Sequence, residues 1–437
     1  MRLPLALIAL AALTACAPGV QVTKSQPETG IGFGPAPARG GRLPGASGGS
    51  LARDFMDLSF ALESGQEIAT FTRFEGPVTV AMTGKVPASA PRDLAALVGR
   101  LQTEAGIDIS QTDGAAVITI EFATRSDLHR LAPQAACFVV PNVGSLAEYR
   151  RARGTDAVDW ARITRRERAA IFIPADTSPQ EIRDCLHEEM AQALGPLNDL
   201  YRLPDSVFND DNFHSVLTGQ DMAILRLTYG PDLASGMTRA EVAQRLGSAG
   251  SGAERGALPG WTQAIETALG RTGTLQARQE AAGRALDLAL QAGWQDNRTA
   301  FSHFAVGRLA ASSAPDLAAA AFDRAEAIYA TLPGGAVQIA HIDMQRAAMA
   351  LAAGQTADAA RLADRAMPVV QAAGNAALLA TLMLIKAEAL ERSGDLAGAA
   401  ALRMDSAAWA RYGFGPDSVV KARMRDIAAL ADRAAKG

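Results

Sequence analysis

The chain has 437 residues, with 46 Asp and Glu against 42 Lys and Arg for a net charge of -4, and only 5% aromatic residues beside abundant Ala. That balance excludes a protein whose whole surface is built to hold nucleic acid or an anionic membrane. The length exceeds what one hydrophobic core usually serves, so two folded units are expected, and the Ala content points to helices packed at close range.

The chain opens with Arg2, an apolar run from Leu3 to Leu13, and the segment Leu13-Thr14-Ala15-Cys16. A short basic start, an apolar run and small residues before a break have the layout of an export signal. The run is about half the ~20 residues of a spanning helix, and no later segment is long and apolar enough. The end of this segment, 1–16, resembles the lipobox of bacterial lipoproteins, which implies that cleavage before Cys16 leaves it as the lipid-modified first residue of the mature chain. With Ala17 rather than aspartate following, the resemblance implies the periplasmic side of the outer membrane. Residues 17–50 are rich in Gly, Pro, Ser and Ala and read as a flexible tether.

Residues 51–245 mix strand and helix patterns, giving an α+β or α/β domain. Pro77 to Met82 alternates as a strand does, Pro91 to Ala105 has helical spacing after a Pro start, and Ala116 to Phe122 alternates again. Cys137 to Val140 and Ala169 to Ile173 are short apolar runs that stop at Pro. Ser178-Pro179-Gln180-Glu181 is a capping box with Pro at the first helical position, and Gly195-Pro196 is a stop, so a helix spans about Pro179 to Leu194. Cys137 and Cys185 are expected to pair, since an exported location is oxidising and the closed loop would be worth roughly 4 kcal/mol. Two buried free thiols are the alternative.

A Gly/Ser-rich break near residues 246–260 marks the second unit, 246–437, which reads as helix after helix. Gly354 precedes Ala359 and Ala366, Gly394 precedes Ala399 and Ser406, and Ser313 precedes Ala318, Phe322 and Ala325. A turn residue and two small packing positions thus recur about every 40 residues. The spacing within each unit resembles tetratricopeptide repeats, with a longer period, and a plain Ala-rich helical bundle is the alternative. The resemblance implies a concave surface for a protein partner.

On the 179–194 helix, Ile182, Cys185, Leu186 and Ala193 share an apolar stripe at 100° per residue, and Glu189 falls near its middle. Glu188 and Gln192 flank it one turn apart, while His187 projects from another side. A carboxylate on such a stripe needs a hydrogen bond, a proton or a cation. The frame Glu188-Glu189-x-x-Gln192-x-x-Gly195-x-x-Asn198 is similar to the metzincin pattern H-E-x-x-H-x-x-G-x-x-H/D, in which three side chains hold zinc and the Glu is general base. Ser206-Val207-Phe208 lies where matrix-type metzincins place their methionine turn, and Leu217 to Gly230 resembles their closing helix.

The resemblance implies metal positions at Glu188, Gln192 and Asn198 and a catalytic role for Glu189 if the site is active. An oxygen-only set with two amides suits zinc poorly, so a zincin-like domain without zinc chemistry and without a cofactor is expected. The alternative is a peptidase with one weakly bound divalent cation, and the bland one is a hydrogen-bonded polar cluster. The stretch from Cys185 to Met237 is also similar to the bacterial envelope family called domain of unknown function 2927, which implies an exported domain over about Leu51 to Met237 and supplies no reaction.

Arg150, Arg151, Arg153, Arg162, Arg165, Arg166 and Arg168 form a basic cluster, read as a solvated face paired with Asp156, Asp159 and Glu167; an anionic polymer or headgroup is the alternative. Asp205, Asn209, Asp210, Asp211 and Asn212 read as a polar turn rather than a calcium loop. The function expected from the whole is interaction: a lipid-anchored envelope protein that binds a protein or peptide partner through its helical half, with no nucleic acid.

Overall fold

The computed structural model describes residues 48–133, 135–247, 258–270 and 272–434. The export signal, Cys16, nearly all of the tether and most of the Gly/Ser-rich break lie outside the described residues. The chain divides into two compact units, the second beginning at Leu258. No helix among the described residues is long and apolar enough to cross a membrane.

The first unit runs α1 (Gly48–Ser59), β1 (Val78–Gly84), α2 (Ala90–Glu104), β2 (Ile109–Gln111), β3 (Ile118–Ala123), α3 (Arg125–His129), β4 (Phe138–Pro141), α4 (Leu146–Ala152), β5 (Ala169–Pro174), α5 (Pro179–Leu194), α6 (Gly219–Thr228) and α7 (Arg239–Arg245). It is a mixed α/β domain. The five-stranded sheet has the order β2-β1-β3-β5-β4, with β2, β1, β3 and β5 parallel and β4 antiparallel at the edge.

Every residue of β5 is buried, as a continuous apolar run in a covered parallel strand should be. Period-two alternation then splits its side chains. Ile171 and Ile173 join the core made with Leu94, Leu97 and Leu101 of α2 and Ile182, Leu186 and Met190 of α5. Ala170 and Phe172 face the other way, onto Val140 and Leu146. There Phe138, Tyr149 and Phe172 form a ring cluster with centroids 5.1 to 5.9 Å apart.

α1 corrects the tether boundary: helix begins at Gly48, where the sequence reads as linker. It is tied down by charges from far along the chain. Arg202 pairs with Asp54 and, at 3.0 Å, with Asp57, which also meets Arg239 at 3.1 Å.

The second unit is all helix: α8 (Pro259–Leu269), α9 (Leu275–Gln291), α10 (Asn297–Ala310), α11 (Pro315–Tyr329), α12 (Ala336–Ala352), α13 (Thr356–Ala372), α14 (Ala376–Arg392), α15 (Leu396–Phe414) and α16 (Asp417–Ala434). Consecutive helices pack as neighbours from α8 to α16. The pairs beginning at α10, α12 and α14 repeat at a period of about 40 residues. Each small residue that the repeat singles out is buried: Ala318, Ala325, Ala359, Ala366, Ala399 and Ser406. Gly354, Gly374 and Gly394 end helices at φ of 75°, 74° and 95°, a left-handed turn that glycine takes without strain.

α15 packs closely on the start of α14. A Cβ on Gly413 would stand 2.5 Å from the Ala377 Cα and N, which are backbone atoms and cannot turn aside. Gly413→Ala is therefore expected to cost about 2 kcal/mol by overpacking, read as a lowered midpoint in urea unfolding of the full chain; an unchanged midpoint would contradict this packing.

Candidate functional site

α5 carries the candidate residues, and both its ends are held. Ser178 accepts from the Glu181 N–H at 3.2 Å. The Glu181 carboxylate does not close the box predicted from the sequence; it accepts from Arg125 at 2.6 Å and from Thr177. At the other end Arg166, only 4% exposed, donates to the carbonyls of Gln192 and Ala193, both at 2.6 Å, and of Gly195. It also reaches Thr72 at 3.2 Å and lies over the Trp160 ring at 4.7 Å. Burial lowers its pKa to about 10, so it stays a cation, set against the negative end of the helix dipole.

Arg166 is thus no part of a solvated face, and here the sequence reading is corrected. Its neighbour Arg162 does lie on that face, near Asp156 and Asp159 at 3.9 and 3.8 Å. Gly195 has its own reason: a Cβ there would meet the Thr228 side chain of α6 at 2.9 Å.

His187 is buried and turned away from Glu189's stripe. Its Nδ1 accepts from the Leu217 N–H at 3.3 Å, and burial, with Arg183 and Arg100 nearby, holds its pKa well below the usual histidine value. It is a neutral structural imidazole. Asp221 organises the turn beneath the helix, accepting from Ser206 at 2.5 Å, from the Val207 N–H at 3.1 Å and from the Thr218 N–H at 2.7 Å. Phe208, which the metzincin resemblance sets against the methionine turn, is fully buried.

Two positions of the frame suggested by the metzincin resemblance are engaged with different partners. Gln192 donates to Glu63 at 3.4 Å. Asn198 turns its amide to the Asp57 carbonyl of α1, at 2.9 Å. The next residue, Asp199, is the one whose carboxyl faces the site: it hydrogen-bonds Glu63 and lies within repulsive range of Glu188 and Asp210. Glu63 stands on an exposed turn, Asp210 is exposed, Glu188 and Asp199 are half-buried and Glu189 is buried. Sequence reasoning missed Glu63 and Asp199 as members of this group, since neither belongs to the frame.

The electrostatics of this cluster are one-sided. Burial and the neighbouring Glu188 and Glu63 push Glu189 well above the usual carboxylate range. Burial, Glu63 and Asp210 do the same to Asp199. Glu188 rises from 4.5 to about 7 through burial and the charges of Glu63, Asp210 and Asp184. One oxygen of Glu189, Oε2, and one of Asp199, Oδ1, are buried with no hydrogen-bond partner.

A pH dependence follows. A carboxyl whose pKa is raised on folding adds stability below its unfolded value, and that stability is lost as pH rises through the folded value. The domain is expected to lose about 2 kcal/mol between pH 5 and pH 8 in chelating buffer through Glu188, and Glu188→Gln is expected to flatten that slope in urea unfolding. A slope unaltered by the variant would contradict the assignment.

These donors do not fit zinc. Glu188, Gln192 and Asn198 offer oxygen or amide groups, the nearby imidazole is engaged elsewhere, and Asn198 points onto α1. No chemical step through zinc is derived for this chain.

The disulfide Cys137–Cys185, with Cα atoms 6.0 Å apart, ties the residue before β4 to α5 one turn ahead of Glu188 and Glu189. On the outer side of the sheet, the Trp160 indole donates to the Val139 carbonyl of β4 at 3.3 Å, so part of that edge is taken. A cavity of about 520 Å³ lies beside it, lined by Phe138, Val139, Tyr149, Arg153 and Trp160, apart from the carboxylates. In the 205–212 loop, Asn209 accepts from the Asp211 N–H at 3.0 Å and Asp211 from the Phe213 N–H at 3.1 Å, as in a polar turn.

No curated protein and no solved structure matches the chain. Residues 49–248, the segment that builds this sheet, α5 and the carboxylate cluster, match the model of the family described as protein of unknown function (DUF2927).

Proposed function

We propose that this is a lipid-anchored envelope protein in which a zincin-like domain without zinc chemistry is joined to a tetratricopeptide-like module that binds a protein partner. The observation that carries the first half is the donor set of the frame: no imidazole, with Asn198 drawn to the Asp57 carbonyl. The turn under α5 and the close packing of Gly195 on Thr228 support a zincin-like frame kept as scaffold. The anchor rests on the Cys16 segment alone, and the disulfide fits an exported, oxidising compartment.

The partner reading rests on the helical unit. Its buried seams are small residues, leaving the outer faces to specify the partner. The four most exposed large apolar side chains among the described residues, Met404, Leu396, Leu290 and Leu317, stand on α15, α9 and α11. α16 already covers α12 and α14 with Ile427, Leu430 and Ala431, so those outer faces are the surface that this reading uses. The occupied edge of β4 speaks against a peptide added there as a strand.

The test is a pair of variants in the native envelope. Removing 258–437 is expected to abolish cross-linking to the partner, while Glu189→Gln leaves that cross-linking in place. Peptide hydrolysis by the wild-type chain that disappears in Glu189→Gln, with the fold intact, would overturn the reading in favour of a hydrolase.

A further inference from the structure

The carboxylate cluster on α5 has an organisation that a vacated protease site does not require. Its members come from three places: the turn after α1 (Glu63), the buried helix (Glu188 and Glu189) and the segment after it (Asp199 and Asp210). Every charged neighbour that acts on Glu188, Glu189 and Asp199 is another carboxylate. The guanidinium groups nearby are committed: Arg166 to the α5 carbonyls, Arg183 to Asp184 at 2.8 Å, and Arg202 to Asp54 and Asp57. Inside the cluster, Glu189 is only 4% exposed, yet its Oε2 has no partner. A buried carboxyl oxygen set among like charges is satisfied by a proton or by a positive ligand.

We propose that Glu63, Glu188, Glu189, Asp199 and Asp210 bind one hard divalent cation of the calcium class. The donors are all oxygen, which suits calcium, magnesium or manganese and not zinc. Among the described residues no group of three or more acidic, His or Cys side chains is placed to hold a metal ion, so cation binding must draw the carboxylates together. Glu63 and Asp210 are the two exposed members of the set. Calcium tolerates such an irregular, many-oxygen shell, whereas magnesium demands near-octahedral geometry. The set differs from the zinc-type frame, sharing Glu188 with it and replacing Gln192 and Asn198 by Glu63, Asp199 and Asp210.

The experiment is isothermal titration of the mature full chain with calcium chloride, with magnesium and zinc chlorides as comparators, and thermal melts alongside. One calcium per chain is expected, with Kd on the order of 10⁻⁴ to 10⁻³ M and a raised melting temperature. Glu63→Gln and Asp199→Asn are each expected to weaken binding roughly tenfold or more. Glu63 sits on an exposed turn, so its variant tests the site even if Asp199→Asn perturbs folding. No heat and no melting shift at roughly 10 mM calcium, equal affinity in both variants, or a preference for zinc would each overturn the proposal. Failure here leaves the partner-binding reading standing, because that reading rests on the other unit.

Discussion

Arg166→Met is expected to cost the first unit about 4 kcal/mol, the range found when one side of a buried charged hydrogen-bond set is removed. Methionine fills much of the volume but donates nothing. The carbonyls of Gln192, Ala193 and Gly195 then lose the guanidinium that meets all three, and the Thr72 hydroxyl and Trp160 ring lose a neighbour. Arg166→Lys should recover only part of the loss, because one ammonium cannot reproduce a planar fork aimed at several carbonyls. Urea unfolding followed by circular dichroism measures both variants. A loss under about 1 kcal/mol for Arg166→Met, the range of an exposed pair, would show that Arg166 belongs to the solvated face after all.

The second large effect is expected at Cys137–Cys185. Changing both cysteines to Ala opens a loop with a sequence separation of 48 residues and should cost about 4 kcal/mol in the chain-entropy account. Reductant should lower the wild-type midpoint by a similar amount and leave the variant unmoved. Because the bond joins the residue before β4 to the helix that presents Glu188 and Glu189, its loss should loosen that helix against the sheet edge. Hydrogen exchange in α5 that stays as slow in the reduced protein as in the oxidised one would contradict this.

What the sequence made legible was local. Alternation located β1 and β3, a short apolar run stopped by Pro located β5, and the Ser178 and Gly195 signals bracketed α5, because each depends on residues within a turn or two. The small positions of the helical unit were readable for the same reason, since a repeat carries its packing rule within its own period. What stayed hidden depends on distant partners. Only the first three residues of α1 fell in the tether of the sequence reading, but nothing local showed what holds the helix, since Asp54 and Asp57 look like solvent-facing residues until Arg202 and Arg239 arrive from more than a hundred residues away. Arg166 shares a run with exposed arginines, and only the later carbonyls of α5 distinguish it.

The candidate site divides along the same line. Glu188, Glu189 and Gln192 were visible because helical spacing puts them on neighbouring faces. Past Gly195 the chain leaves the helix with φ of -167° and ψ of -89°, and spacing no longer says which side chain faces inward. The frame therefore nominated Asn198, whereas Asp199 faces the carboxylates. Glu63 had no signal at all: it lies on a turn that meets α5 only through the tertiary fold.

The zinc-free reading of α5 is tested by elemental mass spectrometry of the mature protein, purified without chelators and compared with the Glu188→Ala, Gln192→Ala, Asn198→Ala triple variant. Far less than one zinc per chain is expected in both. About one zinc per chain that vanishes in the triple variant would contradict that reading and show that the frame binds the metal.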